Sequence, residues 1–408
     1  MPYLGSSPGH SNSPYHKKTS MTLARRAFLR FLAASPLAAQ DPATARDAIR
    51  VLDFEPLALK NLPPAHWGYM STGVEDDLTL RANRDAMTHY QLRPRRLSGA
   101  GAADLRTEIF GQTWDMPIYA SAVSGQRAFH PQGELATARA AKAQKTVQLL
   151  SSYSSTSVEE VAKNLGAPPW YQLYMPIKWE ETEKLIHRVE AAGCPVLAWT
   201  VDTMVGRNTE TATRLARTDT RNCLSCHANH PITGPRVARN RTLPMFSDLS
   251  GENNPANADW SYVGRLKKLT RMKVIIKGLE TAEDALLARE NGADGIVVSN
   301  HGGRATETGR GTLDILPEII DAVGPHFPVF IDGGFRRGSD VFKALAIGAR
   351  AIGIGRPQVW GLAAFGQEGV ERVLELFRAE LTLTMRQCGV PNIAAITRAA
   401  ILRNGARL

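Results

Sequence analysis

Eight short apolar runs, spaced through residues 116–355, constrain this chain more than any other feature. They are MPIYASAV (116–123), TVQLLS (146–151), WYQLYM (170–175), PVLAWTVDT (195–203), KVIIKG (273–278), DGIVVSN (294–300), FPVFIDGG (327–334) and RAIGIG (350–355). Each is apolar on both faces, as a parallel strand covered on both sides requires. Helical patterns lie between them, such as TAEDALLARENG (281–292), with Gly292 placed to end the helix, and SDVFKALAIG (339–348). Eight strand–helix units in about 250 residues predict an α/β fold, a TIM (β/α)8 barrel. A doubly wound sheet would carry a glycine-rich turn after its first strand, and none is present. The expected organisation is a leader over 1–39, a helical lead-in over 40–115, and the barrel over 116–408. A long polar loop over 208–258 separates strands four and five.

Polar residues interrupt these runs at their C-terminal ends: Ser151, Gln172 and Tyr174, Thr200 and Asp202, Lys277, Ser299 to His301, and Asp332 to Gly334. In a barrel all such ends share one face, where active sites are built. One of them alone is more often a helix cap; a set on most strands points to a site. After strands seven and eight come DGGFRRG (332–338) and GIGRP (353–357). Glycines allow close backbone approach, helix N-termini present N–H groups, and arginines add charge, which suits a phosphate.

The formal net charge is +10, but Lys17, Lys18, Arg25, Arg26 and Arg30 supply half of it ahead of the first acid, Asp41. From residue 40 onward 44 basic face 39 acidic residues. No basic stripe interleaved with aromatics appears, so a nucleic-acid partner is not expected. No apolar run is long enough to span a bilayer. Within TLARRAFLRFLAASPLAAQ (22–40), Arg25-Arg26 ahead of a short apolar stretch resembles a twin-arginine export signal, which predicts a periplasmic enzyme. The alternative is a basic amphipathic helix on a cytoplasmic protein. Translation starts at Met1 or at Met21.

VVSNHGGR (297–304) resembles the signature of the FMN-dependent L-2-hydroxy-acid oxidoreductases, which include glycolate oxidase, lactate oxidase, L-lactate dehydrogenase and flavocytochrome b2. The likeness runs from about Leu62 to about Ile401, through YMSTGVEDD (69–77), SSYSSTSVEEVA (151–162), YQLY (171–174), TVDT (200–203) and DGGFRRGSDVFKALAIGA (332–349). It implies FMN, a small 2-hydroxy acid as substrate, and a homo-oligomer, a tetramer in this family. It makes His301 the base, with Asp202 orienting it and stabilising its protonated form. Lys277 would offset negative charge on the reduced flavin. Arg304 would grip the substrate carboxylate, with Tyr69 and Tyr174 facing the substrate. Ala122, Val123 and Ser124 match the backbone segment beside the flavin ring. Ser151, Gln172, Thr200 and Ser299 match ring and ribityl contacts. Asp332, Gly333, Gly334, Phe335, Arg336, Gly355 and Arg356 match the ribityl and phosphate end.

Two departures stand out. The first strand carries Ala122-Val123-Ser124 where the family usually has Pro-Thr-Ala. After TVDT the chain is one residue short, so Asn208 takes the place of the second carboxylate-binding arginine, with Arg207 beside it. An altered substrate on the same barrel, or a non-catalytic flavin-binding electron-transfer protein, are the competing readings.

Cys223, Cys226 and His227 form C-x-x-C-H, the attachment pattern of haem c, inside the 208–258 stretch. A haem there would take electrons from the flavin in place of oxygen, quinone or a soluble cytochrome c, with His227 as proximal ligand and Met245 or His230 as distal ligand. Zinc, or a Cys223–Cys226 disulfide, are the alternatives.

Overall fold

A computed structural model describes residues 41–99, 101–221 and 241–407. Contacts divide the chain into Met1–Pro42 and Ala43–Leu408, and the second unit is the subject here. Lead-in and barrel fall within that one unit. The export segment, Cys223, Cys226, His227 and His230 lie outside the described residues.

All eight apolar runs form strands: β1 (Ile118–Ala120), β2 (Leu149–Ser151), β3 (Trp170–Leu173), β4 (Val196–Thr200), β5 (Lys273–Leu279), β6 (Gly295–Val298), β7 (Val329–Ile331) and β8 (Ile352–Ile354). They pair in parallel in the order β1-β8-β7-β6-β5-β4-β3-β2. A parallel bridge between Ala120 and Gln148 closes the ring. Most strands are shorter than their runs, because the polar ends leave the sheet. After β7, for example, Gly333 and Gly334 turn the chain at φ 101° and 84°.

Helices follow each strand, and local chemistry sets their ends. Val158–Leu165 starts on Ser157, whose Oγ accepts the Glu160 N–H at 3.3 Å, and stops at Gly166 with φ 79°. Ala282–Glu290 starts on Thr281, whose hydroxyl accepts from the Asp284 N–H at 3.3 Å. The strands' outward side chains and these helices form the main core. A second core, including Tyr119, Leu149, Trp170, Val297 and Phe330, fills the barrel interior.

The lead-in supplies helices Phe54–Asn61, Pro64–Ser71 and Leu78–Asp85, as expected, and also a hairpin, Thr107–Ile109 with Gln112–Trp114. Phe110 at its turn and Trp114 reach Trp170, with ring centroids 5.9 and 5.0 Å away, and plug the barrel end where β3 begins. The 208–258 stretch is not all loop. Helix Glu210–Arg217 packs on Pro64–Ser71, and Met245, Phe246 and Leu249 are buried in the main core. Met245, a candidate distal haem ligand, is 1% exposed there, which places its thioether among core side chains.

Candidate active site

The polar strand ends converge on one cavity at the C-terminal face of the barrel. It holds about 850 Å³ of atom-free space, its open mouth included.

His301 stands just past β6 with φ 57°, a left-handed conformation that costs a histidine energy and persists only where neighbours enforce it. Its backbone N–H donates to Ser299 Oγ at 3.1 Å. Nδ1 lies 2.9 Å from Asp202 Oδ1, and Nε2 lies 3.4 Å from the Tyr174 hydroxyl. Burial lowers the imidazole's affinity for a proton; Asp202 opposes that, and Lys277 and Arg207 reinforce it, leaving the pKa below its ordinary value. Burial pushes the Asp202 carboxyl up, but the charges and hydrogen bond of its neighbours outweigh this, and its pKa ends low. The pair is therefore neutral histidine beside carboxylate at neutral pH.

Two side-chain networks floor the cavity. Ser124 and Ser151 hydroxyls lie 3.1 Å apart, Ser151 donates to Gln172 Oε1 at 2.9 Å, and Gln172 Nε2 donates to Thr200 Oγ1 at 2.9 Å. This chain fixes the Gln172 amide across β2, β3 and β4. Lys277 Nζ donates to Ser299 Oγ at 2.6 Å and sits 3.0 Å from Asp332 Oδ2. The Ser299 hydroxyl donates to Asp332 Oδ1 at 2.6 Å. Lys277 is thus a buried ammonium at 4% exposure, held at the end of β5.

The far end is built for an anion. A Cβ placed on Gly355 would meet no atom within 4 Å, so the backbone there borders open space at the N-terminus of helix Arg356–Cys388. Burial draws the Arg336 and Arg356 guanidinium pKa values down to about 10 and about 9, with neighbouring arginines adding to the effect. Arg356 is held by the Met70, Gly302 and Thr72 carbonyls and Arg336 by that of Phe335, and Glu55 offsets part of their charge, so two buried cations at this end favour an anion. The Gly333, Gly334 and Phe335 backbone and the Ala122-Val123-Ser124 segment line the same cavity. The chemistry of this lining fits FMN: Arg336, Arg356 and the helix end would hold its phosphate, and the Ala122-Val123-Ser124 segment, Lys277 and His301 would border its ring.

Arg304 lies across the mouth. Its Nη1 donates to the carbonyls of Tyr69 and, at 3.0 Å, Thr72, and its guanidinium carbon lies 4.7 Å from the Tyr69 ring centroid. Burial lowers its pKa to about 10. Arg207 and Asn208 do not line the cavity. Asn208 donates to Glu210 Oε1 at 3.0 Å on the exposed side. Arg207 Nη1 donates to the Arg304 carbonyl at 3.2 Å, and its charge acts on His301, Asp202, Arg304 and Tyr174. Of the two residues at this departure, the arginine is the one whose charge reaches the site, from outside the cavity. Sequence reasoning missed Met70, Ser121 and Val359 as lining residues. Apolar or small residues carry no chemical signal, although Met70 adjoins Tyr69.

A family model described as FMN-dependent dehydrogenase matches residues 58–403. A peroxisomal (S)-2-hydroxy-acid oxidase of Oryza sativa subsp. japonica is 38% identical over 364 residues, covering 88% of this chain and 97% of the relative. Among solved structures, one described as a Pediococcus acidilactici lactate oxidase matches with TM-score 0.78 and 35% identity, over 87% of this chain and 95% of that one. A soluble mutant of the membrane-associated (S)-mandelate dehydrogenase of Pseudomonas putida matches with TM-score 0.76 and 32% identity, over 87% and 99%.

Proposed function

Because the chain belongs to the FMN-dependent dehydrogenase family, we propose that it oxidises a small (S)-2-hydroxy acid to the 2-oxo acid with His301 as base. The observation that carries this reading is the His301–Asp202 pair. Nδ1 is committed to the carboxylate at 2.9 Å, which leaves Nε2 to meet the substrate beside Arg304 and Tyr174. FMN, when bound, supplies the two-electron acceptor. The substrate loses two hydrogens with two electrons: His301 Nε2 takes one hydrogen as a proton, Asp202 stabilises the imidazolium so formed, and the electron pair and the other hydrogen would leave to the flavin. Arg304 binds the carboxylate and sets which face of the substrate meets the ring. Lys277, paired with Asp332, would offset negative charge on the flavin when it is bound.

Gly278 makes room for this pair. It has φ 105°, and a Cβ there would lie 2.6 Å from the Asp202 Cβ and 2.7 Å from its carboxylate. Gly278→Ala is expected to keep FMN and cut turnover about 10²-fold, by moving Asp202 off Nδ1. Steady-state rates set against flavin content check this.

For the acceptor, the sequence leaves oxygen, quinone, a cytochrome c, or a haem c carried on Cys223 and Cys226 in an exported enzyme, with zinc or a disulfide as the other uses of the two cysteines. Two contacts concern the described residues that flank that stretch. Asp219, three residues before Asn222, accepts from the Ala65 N–H at 3.3 Å on the helix that carries Tyr69. Beyond the motif, Phe246 packs on Tyr153 with centroids 5.4 Å apart, and Tyr153 packs on Tyr174 at 4.7 Å. The flanks of the motif are thus both tied to the cavity's mouth. The test is an absorbance spectrum of protein from the periplasm of a host that matures cytochromes c, followed by anaerobic L-lactate. Flavin bands bleached by L-lactate support the oxidoreductase, and a covalent haem signal reduced in step supports the acceptor. Flavin that no 2-hydroxy acid bleaches would favour the non-catalytic reading. Flavin without haem would leave oxygen or quinone as acceptor.

A further inference from the structure

The left-handed turn at His301 is held from outside the barrel. Asn300 Oδ1 accepts the Gly303 N–H at 3.0 Å and closes the turn that carries the imidazole. The same amide is paired reciprocally with Asn83, on helix Leu78–Asp85 of the lead-in. Asn83 Nδ2 donates to Asn300 Oδ1 at 2.9 Å, and Asn300 Nδ2 donates to Asn83 Oδ1 at 3.0 Å. Asn83 Oδ1 also accepts the Thr312 N–H at 3.1 Å, and Asn300 Nδ2 also donates to the Arg310 carbonyl at 3.1 Å. Both side chains are buried, at 1% and 0% exposure. An amide pair in such a place is rigid, since either partner left alone would be an unsatisfied buried polar group.

Asn83 reaches the anion end as well. A Cβ on Gly334 would lie 2.1 Å from the Asn83 carbonyl oxygen, so that glycine packs directly on the Asn83 backbone. The adjacent Arg84 donates to the Gly334 carbonyl and pairs with Asp340 at 2.9 Å. One stretch of the lead-in therefore touches both the turn that carries the base and the turn that borders the phosphate end.

We infer that Asn83 is a positioning residue: its amide, through Asn300, sets the angle at which His301 meets Asp202 and the substrate. This rests on the proposed role of His301. It predicts that the hydrogen-bonding pattern at position 83, not merely its volume, governs the rate of the proton-transfer step.

Asn83→Asp separates the two. A carboxylate cannot donate to Asn300 Oδ1, but the protonated acid restores a donor and an acceptor at the same atoms. The nearby charged groups keep their own partners in either form: Arg84 with Asp340, and Arg310 with Glu318 at 2.7 Å. The variant is expected to bind FMN and to reduce it with L-lactate about 10–10²-fold more slowly above neutral pH. Its rate relative to the unaltered enzyme should recover as pH falls. Asn83→Leu, of the same branched shape without donor or acceptor, should be slow at every pH. Asn83→Ser, which keeps one hydroxyl donor, replaces either variant if it does not fold. A second readout is independent of turnover: the imidazole ¹⁵N signals of His301 at alkaline pH, assigned by His301→Gln, should move in each variant. Unmoved signals, a pH-independent rate ratio in Asn83→Asp, or loss of FMN and melting temperature in proportion to rate would each overturn the inference. If no 2-hydroxy acid bleaches the unaltered enzyme, the functional reading fails, while the imidazole signals still decide the role of Asn83.

Discussion

His301→Gln is expected to retain FMN and to lose about 10⁴-fold in the rate at which a 2-hydroxy acid bleaches it anaerobically, the upper range for removal of a general base. Glutamine fills much the same space and can still donate to Asp202, but its amide cannot accept the substrate's proton. FMN should stay because the residues proposed to anchor it, Arg336, Arg356 and the Gly355 helix end, line the cavity away from His301's ring. The pH profile carries the sign. A histidine base must be neutral to act, and the His301 pKa lies below the ordinary 6.5 because it is buried. Flavin reduction should therefore rise with pH through a midpoint below 6.5 and stay flat above it. Asp202→Asn removes a group that raises the His301 pKa, so the midpoint should move lower still. At the same time the plateau should drop by roughly 10³-fold, since the imidazolium formed in turnover loses its counter-charge and its fixed tautomer. A midpoint that rises in Asp202→Asn, or a His301→Gln enzyme bleached at full rate, would sink the assignment of the base.

The sequence carries this much of the site for a physical reason. Strands buried on both faces leave apolar runs that need no partner information, and a barrel sends all their polar ends to one face. Asp202, Lys277, His301 and Asp332 could thus be grouped although 130 residues separate the first from the last. What stayed hidden depends on contacts between distant segments. Asn83 and Asn300 are 217 residues apart, and an asparagine on a short helix looks like any surface amide. The hairpin of Thr107–Ile109 with Gln112–Trp114 has strands of three residues, too short for alternation to register. Helix Glu210–Arg217 spans eight residues of a polar stretch and takes its place by packing on Pro64–Ser71, so composition read it as loop. The one-residue shortening after TVDT flags a change at Arg207 and Asn208, but the path of the backbone decides which side chain faces the site.

That choice sets the second large effect. Arg304→Met is expected to raise KM for a 2-hydroxy acid about 10²–10³-fold, as loss of a buried partner for a carboxylate does, and to lower kcat as well. Its Nη1 is fixed by the carbonyls of Tyr69 and Thr72, so among the described residues Nε and Nη2 carry no hydrogen bond and are left for the substrate. Arg304→Lys should not rescue it, since an ammonium can neither keep both carbonyls and grip a carboxylate nor stack on Tyr69. Arg207 is exposed and joins the site through the Arg304 carbonyl and through its charge. Arg207→Met should therefore raise KM only about threefold to tenfold, leave kcat in place, and lose this difference at high salt, as a screened surface charge does. Asn208→Ala should change neither constant measurably, because its amide is spent on Glu210. Steady-state kinetics at two ionic strengths distinguish these outcomes. A large KM effect from Asn208→Ala would return the second carboxylate contact to position 208. A large, salt-independent effect from Arg207→Met would mean that Arg207 swings in to a direct bond with the substrate, so that two arginines bind the carboxylate despite the shortened chain.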